Sequence, residues 1–373
     1  TTEIYTLSLH DALPISGQGG VDTVATAVQA TLNTYVPPTL TPVPATPLPT
    51  ATITPTPLPL PASVYLKGVR AEEQRMNNCG PTTLAMYLSF YKWVGKLNPT
   101  AEVPQDHIAP YVKPNPEDKN VMPYEMQAYV QKDTDFDAII RMGGDLQTLK
   151  ALTAAGFPVM VEKGFDVPST PLHPNMGWMG HYDLVVGYDD ARQVFHTKDS
   201  YLPLILNTAE GKGLNFTYNT TLLSYEIPYD DFYKNWQAFN YIFLVVFPKD
   251  KQNDVLNQLG PLMDENNAYR VAYDRAQQEI KTLKNPRDLF FAWFNTGTSL
   301  VYLHDYSGAA QAYDSAYKLY PSIPADQMPP WRMTWYQTGP YFAYYYTARY
   351  QDVVNLATTT LDAIQSKKAV EES

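Results

Sequence analysis

A single cysteine stands at the start of a long apolar run, and this arrangement constrains the fold more than any other feature. Cys79 is the only cysteine of the chain, and Gly80, Pro81 and a mostly apolar stretch to Trp93 follow it. Because proline is favoured in the first turn of a helix, the sequence predicts a buried helix with Cys79 at its N-terminus. The unpaired N–H groups and the helix dipole there favour an anion and lower the pKa of a thiol. The alternative is a buried cysteine that only fills apolar space.

A thiolate that attacks a carbonyl needs an imidazole, a group that orients the imidazole, and donors for the oxyanion. Gln74 lies shortly before Cys79 and offers a side-chain N–H as an oxyanion donor, beside the backbone N–H of Cys79. Five histidines follow the first fifteen residues, and each is a candidate imidazole: His107, His173, His181, His196 and His304. Only His181 opens a predicted strand that has a carboxylate within reach, so we expect it to be the base. A surface histidine after a glycine-rich loop is the alternative.

The carboxylate comes from a predicted hairpin. Segments 181–188 and 193–199 have strand composition, and Asp189-Asp190-Ala191 is expected as a three-residue loop between them. This register pairs Tyr188 with Arg192 and sets His181 directly opposite Asp199. Asp183, on the same face as His181, is the competing orienter. A metal site made of Cys79 and histidines lacks any short ligand spacing, and no metal or organic cofactor is predicted.

Further elements precede and follow this hairpin. Helices are predicted at 122–131, with Pro123 in the first turn, and at 146–155, capped by Asp145 and ended by Gly156. Strands are predicted at 157–162 and within 241–248.

The composition of the N-terminal part of the chain cannot supply a hydrophobic core. Residues 5–15 resemble the translation of a sequencing adapter, so we interpret residues 1–15 as an artefact that replaces the native N-terminus. Residues 16–62 are predicted to be a disordered Thr/Pro-rich stalk, since ten of the residues 37–61 are Pro and seven are Thr. An ordinary interdomain linker is the alternative. The net charge of −11 argues against nucleic acid as a partner.

The C-terminal part, residues 251–373, has a helical pattern. Small and large residues follow tetratricopeptide spacing at Trp293, Gly297, Leu300, Ala309, Tyr313, Ala316 and Pro321. Trp335 and Gly339 begin a second, degenerate copy whose helix we expect Pro340 to interrupt, and 266–280 is a helix of a preceding half repeat. These helices either bind a peptide or protein partner on a concave face or only cap the preceding domain.

The order Gln74, Cys79-Gly-Pro, His181 before Leu-Val-Val-Gly-Tyr-Asp-Asp, and Asp199 resembles the bacteriocin-processing, double-glycine-leader peptidase family. The resemblance covers about residues 64–250 and is closest to the stand-alone, secreted branch, because no transporter or ATPase segment is present. It implies a papain-like fold, with Cys79 as nucleophile, His181 as general base and acid, Asp199 as orienter and Gln74 as oxyanion donor.

The sequence therefore predicts an α+β papain-like cysteine peptidase domain at 63–250, followed by an all-α tetratricopeptide-like domain. The expected function is hydrolysis of a peptide or amide bond in a peptide or protein substrate, outside the cytoplasm or at the cell surface. Contact with a membrane is expected only through a missing N-terminal anchor. The rivals are a non-catalytic surface adaptor that binds a partner through its helical repeats, and acyl transfer to an amine by the same triad.

Overall fold

The structure is a computed structural model, and it describes residues 59–93, 104–114, 120–167, 177–201, 217–219 and 224–366. The adapter-like segment and almost all of the predicted stalk lie outside the described residues. So does His173.

The centre of the fold is an antiparallel sheet. Its strands within the described residues are β1 (Ser63–Tyr65), β2 (Phe136–Arg141), β3 (Val159–Val167), β4 (Gly177–Asp189), β5 (Val194–Lys198), β6 (Thr217–Asn219), β7 (Ser224–Pro228) and β8 (Phe243–Pro248). They are arranged in the order β2-β8-β3-β4-β5-β7-β6, and β1 pairs with the far end of β4. The long strand β4 is therefore central, and it carries His181.

The predicted cysteine helix forms as expected. Helix α1 spans Cys79–Phe90, and its residues from Gly80 to Ser89 are all buried. It packs on one face of the sheet, where Leu84 and Leu88 share a core with the strand residues Leu184 and Val246. This packing holds the first residue of the helix, Cys79, against β4.

Helices α2 (Gln105–Val112) and α3 (Pro123–Asp133) follow α1. Met122 is the N-cap of α3 and Pro123 lies in its first turn, as the sequence predicts. In helix α4 (Leu146–Ala154), the Asp145 carboxylate accepts a hydrogen bond from the backbone N–H of Thr148, so the predicted cap is present. Gly156 follows α4 with a φ of 94°, a conformation that favours glycine.

The second face of the sheet is covered by α4, by α5 (Tyr229–Gln237) and by α6 (Gln252–Leu259). Leu149, Phe232 and Trp236 pack there against inward-facing strand residues such as Val161 and Val185. The sheet is thus enclosed between two helical layers, so its central strands are buried on both faces.

The C-terminal part consists of helices, in agreement with the predicted helical pattern. They are α7 (Glu265–Thr282), α8 (Pro286–Tyr302), α9 (Tyr306–Leu319), α10 (Gly339–Tyr346) and α11 (Tyr350–Ser366), with a 3-10 helix at Trp331–Trp335. A Cβ on Gly297 would approach the ring of Tyr313 to 2.7 Å, so α8 and α9 meet closely there. Pro340 does not interrupt a helix: it lies in the first turn of α10, where its missing N–H is not needed.

The C-terminal helices pack directly on the peptidase-like part. Trp178, Phe239 and Ile242 share a buried cluster with residues of α8 and α9, including Phe291 and Phe294. We call this cluster the cap interface. A hydrogen bond and an ion pair also cross the cap interface: Asn295 Nδ2 donates to the carbonyl of Gln237 at 2.8 Å, and Arg287 pairs with Asp166.

Within the described residues, every helix falls short of the length and apolar character that crossing a membrane requires.

Candidate active site

Cys79 occupies the first position of α1 and is partly exposed. Backbone N–H groups at this position have no partner in the preceding turn, so they point towards whatever lies before the helix. Burial by itself raises the pKa of the Cys79 thiol, but the hydrogen bond and charge of His181 outweigh it, with help from the N–H groups of Tyr182 and Gly80. The net pKa lies below the ordinary value, which favours a thiolate.

The hairpin that carries His181 differs in register from the predicted one. Tyr188 pairs with Phe195 and not with Arg192, because the loop has four residues, 190–193, and Gln193 adopts a left-handed φ of 55°. A bulge then inserts one extra residue, Val186, so that Leu184 pairs with Lys198. One step further Asp199 comes level with Asp183, and the prediction that His181 stands directly opposite Asp199 is wrong.

The two side chains nevertheless meet. His181 and Asp183 share a face of β4, so His181 lies on the diagonal from Asp199, a separation that an imidazole bridges. His181 Nε2 is 2.8 Å from Asp199 Oδ1, with 3% and 0% of the two side chains exposed. Since Nε2 is engaged by Asp199, Nδ1 is the ring nitrogen that remains for the hydrogen bond to Cys79.

The electrostatics favour a charged imidazole. Burial lowers the pKa of His181, but the Asp199 carboxylate and the hydrogen bond and charge of Cys79 raise it more, to about 10. Burial raises the pKa of Asp199, whereas His181, Lys163 and the N–H of Tyr201 lower it below the usual range. The arrangement therefore stabilises a thiolate and an imidazolium side by side.

Asp199 is held at both oxygens. Oδ1 also accepts a hydrogen bond from the backbone N–H of Tyr201 at 2.7 Å, and Oδ2 lies 2.9 Å from the Tyr225 hydroxyl. That hydroxyl also lies within 3.0 Å of both oxygens of Asp183 and 2.8 Å from Lys163 Nζ. Tyr225 thus links the orienting carboxylate to a second buried pair.

The ion pair of Lys163 and Asp183 decides which of the two candidate carboxylates, Asp183 or Asp199, orients His181. Asp183 is fully buried and forms an ion pair with Lys163, which is 4% exposed, whereas His181 Nε2 turns to Asp199. Ligand atoms of His181, Asp183 and Asp199 lie within 4.8 Å of one another and resemble a metal site. The Lys163 ammonium already supplies a cation to Asp183, so a metal ion there would have to displace it.

Gln74 is fixed by the residue after Asp199. Its backbone N–H donates to the carbonyl of Ser200 at 2.8 Å, and its side-chain Oε1 accepts from the Ser200 hydroxyl at 2.9 Å. With the amide oxygen engaged in this way, the NH₂ group is the end of the side chain left to donate. Gln74 is partly exposed, so this donor is accessible.

The remaining described histidines lie elsewhere. His196 is 3.5 Å from Glu226, and its ring meets Tyr65 edge-on. His304 Nδ1 is 3.1 Å from the Tyr306 hydroxyl in the C-terminal helices, and His107 lies within α2. The structure thus brings together Cys79, His181 and Asp199, and it holds Gln74 on Ser200, the residue after Asp199.

Sequence reasoning missed three residues that support them: Lys163, Ser200 and Tyr225. Ser200 directly follows a candidate residue, which is a usable signal. Lys163 and Tyr225 lie on strands whose pairing the sequence does not specify, so no pattern points to them.

Residues 66–242 match the Peptidase_C39 like family. Among solved structures, a putative C39-like peptidase from Bacillus anthracis is 16% identical, with a TM-score of 0.34 over 50% of this chain and 97% of that chain. Xylellain, a cysteine protease from Xylella fastidiosa, is 16% identical, with a TM-score of 0.33 over 50% of this chain and 86% of that chain. No curated protein matches the chain.

The matched residues include all four candidate residues, from Gln74 to Asp199. The predicted α+β papain-like fold with a helical C-terminal part is confirmed, and so is the enzyme class, a cysteine-type peptidase acting on a peptide or protein. The double-glycine-leader branch and the tetratricopeptide repeats stay predictions.

Proposed function

We propose that the chain hydrolyses a peptide or amide bond with Cys79 as nucleophile, His181 as general base and acid, Asp199 as orienter and Gln74 as oxyanion donor. One observation carries the proposal. His181 is hydrogen-bonded through Nε2 to Asp199 at 2.8 Å and through its other side to Cys79, at the start of a helix. This is the linear arrangement that thiol-dependent acyl transfer needs.

In the first half of the reaction the Cys79 thiolate attacks the carbonyl carbon, and the C=O electron pair moves to the oxygen. The backbone N–H of Cys79 and the NH₂ group of Gln74 stabilise this oxyanion. His181, held as an imidazolium by Asp199, gives its proton to the leaving amine. The C–N bond breaks, and a thioester to Cys79 remains.

In the second half His181 is neutral and acts as a base. It takes a proton from a water molecule, whose oxygen attacks the thioester carbonyl. The acid product leaves, and the proton on His181 restores the thiolate–imidazolium pair. An amine in place of water would give acyl transfer by the same steps, so this rival is a matter of which acceptor reaches the thioester.

The proposal extends to the rest of the chain. The Thr/Pro-rich composition of residues 16–62 supports action outside the cytoplasm, on a stalk, and so does the resemblance to the stand-alone, secreted branch of the bacteriocin-processing peptidases. The buried cap interface supports a role of the C-terminal helices as a cover of the peptidase surface, in preference to a free adaptor surface for a protein partner.

The test is peptide hydrolysis by the full chain and by matched histidine variants. A library of internally quenched peptides is incubated with the wild type, Cys79→Ser, His181→Ala and His196→Ala, with and without added hydroxylamine. His196→Ala is the control, because this histidine lies on the neighbouring strand and contacts Glu226. We expect cleavage with the wild type and His196→Ala, and losses of at least about 1,000-fold for Cys79→Ser and His181→Ala.

Two results contradict the proposal. Cleavage by Cys79→Ser at the wild-type rate would show that Cys79 is not the nucleophile. Products that form only with hydroxylamine, as hydroxamates, establish acyl transfer and not hydrolysis.

A further inference from the structure

The segment between α9 and α10 reaches back from the C-terminal helices to the strand that carries His181. It comprises the 3-10 helix Trp331–Trp335 followed by Tyr336 and Gln337. Gln337 Nε2 donates to the carbonyl of Ala238 at 3.1 Å. The Tyr336 ring stacks on Phe239 at 6.0 Å between centroids and 13° between planes. The segment is therefore held on the peptidase part by a hydrogen bond and a ring contact.

Phe239 is itself part of a longer aromatic stack. It stacks on Trp178 of β4 at 6.0 Å, and Trp178 stacks on Phe291 of α8 at 5.8 Å. Trp178 and Phe239 are 3% and 6% exposed, so both rings are buried beneath Tyr336. Tyr336 is the end of this stack that remains partly exposed. A ligand thus has access to Tyr336 but not to the rings beneath it.

The Tyr336 hydroxyl lies beside β4, the strand that carries His181. A Cβ built on Gly180, the residue before His181, would be 3.4 Å from this hydroxyl and 2.8 Å from the Phe239 ring. The absence of a side chain at Gly180 leaves room for the ring of Phe239, on which Tyr336 stacks. Burial raises the pKa of Tyr336, the charge of Arg332 lowers it, and the charges of Glu162 and Cys79 raise it further.

Cys79 and Tyr336 lie on the same face of β4, because Gly80 approaches the ring of Tyr182 and Tyr336 approaches Gly180, two residues away on that strand. His181 and Asp199 are 3% and 0% exposed, whereas Cys79 and Tyr336 both keep accessible surface. We therefore expect a peptide that presents its carbonyl to Cys79 to pass close to Tyr336. Tyrosine suits such a position, because its hydroxyl donates to a backbone carbonyl and its ring packs on a side chain.

We propose that Tyr336 is a substrate-contacting specificity residue, supplied to the active site by the C-terminal helices. Its hydroxyl donates to a main-chain carbonyl of the bound peptide, and its ring packs on an apolar side chain adjacent to the scissile bond. This inference rests on the proposed peptidase function, since it names which part of the chain reads the substrate. The C-terminal helices then contribute to peptide recognition by lining the cleft and not through a separate binding face.

The test compares Tyr336→Phe and Tyr336→Ala with a control, Tyr345→Ala, in the full chain. Tyr345 lies on α10 and is 56% exposed. Two assays are run for each variant. The first measures kcat and KM for peptides that vary in the residues flanking the scissile bond. The second measures the rate of alkylation of Cys79 by iodoacetamide. Iodoacetamide is too small to need the peptide contacts, so it reports the thiolate alone.

Tyr336→Phe keeps the ring stack, and we expect it to lower kcat/KM by about three- to tenfold, mainly through KM, for every peptide. Tyr336→Ala should lower kcat/KM by about tenfold or more for peptides with an apolar flanking residue and much less for those with a polar one. Alkylation should stay within about twofold of the wild type in both variants, and Tyr345→Ala should match the wild type in both assays.

The inference is overturned if Tyr336→Phe and the wild type have the same kcat/KM for all peptides. It is also overturned if alkylation and hydrolysis fall by the same factor, because Tyr336 then only supports the fold. Should Tyr336→Ala fail to fold, the Phe variant still decides. Failure of the proposed function is distinguishable, since Cys79→Ser would then retain cleavage whatever the Tyr336 variants do.

Discussion

Cutting the chain after residue 250 removes the C-terminal helices and uncovers the cap interface. Trp178, Phe239 and Ile242 are 3%, 6% and 9% exposed in the intact chain. Burial of one large apolar side chain contributes about 1.5–3 kcal/mol, so uncovering these three costs at most about 5–9 kcal/mol. A domain of this size is stable by only about 5–15 kcal/mol. The fragment 63–250 should therefore unfold or aggregate.

Lost hydrogen bonds and a lost ion pair lower the stability of the fragment further. The carbonyls of Gly144 and Gln237 accept hydrogen bonds from Arg275 and Asn295, and the Asp166 carboxylate pairs with Arg287. The fragment leaves all three acceptors without these donors.

The assay is thermal unfolding followed by circular dichroism, with hydrolysis of a small substrate measured in parallel. The full chain is compared with fragment 63–250 and with a control that lacks residues 1–57, whose Thr/Pro-rich composition cannot supply a core. We expect the control to match the full chain and the fragment to show no cooperative transition. A soluble fragment whose Tm lies within about 3 °C of that of the full chain, with equal activity, refutes the reasoning.

Three further predictions concern the site and its surroundings. Tyr225→Phe removes the hydroxyl beside Asp199 and should lower both kcat/KM, by about three- to tenfold, and Tm, because Asp183, Asp199 and Lys163 each lose a buried hydrogen bond; equal kcat/KM would show that this hydroxyl does not position Asp199. The pH profile of kcat/KM should rise as the Cys79 thiol ionises below its ordinary pKa, and fall near pH 10 as His181 loses its proton. A basic limb near pH 6.5, the ordinary histidine value, would contradict the ion pair. Asp145→Ala removes the N-cap of α4 and should cost about 0.5–2 kcal/mol in the free energy of unfolding, while kcat/KM stays unchanged; an unchanged Tm would show that this cap adds nothing.

Local signals predicted the elements that depend on local physics. The start of α1 at Cys79, the cap at Asp145 and the left-handed Gly156 all follow from residue types at helix ends. These interactions span only a few residues, so the sequence contains everything that determines them.

The register of the hairpin depended on more than local sequence. Its loop has four residues, and the bulge at Val186 shifts the pairing once more. The left-handed Gln193 has no glycine to mark it, and Gly187 beside the bulge was interpreted as part of a regular strand, so the alternating pattern alone gave the wrong partners. The contact between His181 and Asp199 survives because both offsets together leave the two residues on one face.

Long-range contacts of the site were beyond the sequence. Lys163 and Tyr225 reach Asp183 from strands on either side of the hairpin, and Tyr336 arrives from the C-terminal helices. Only the packing of the whole chain brings them to the site. The interruption expected at Pro340 failed for a local reason: proline breaks a helix interior but is favoured in the first turn, and the sequence did not show that α10 begins at Gly339.

The central claim is that Cys79 is a thiolate held by His181, and alkylation of the native chain tests it most directly. With one cysteine in the chain, all the label incorporated at thiols is on Cys79. At pH 6 an ordinary thiol of pKa about 8.5 is almost wholly protonated, whereas the Cys79 thiolate should react readily. His181→Ala should slow labelling at pH 6 by about tenfold or more and change it less at pH 9, while His196→Ala leaves both rates unchanged. Native protein that resists labelling at both pH values until it unfolds would contradict the account.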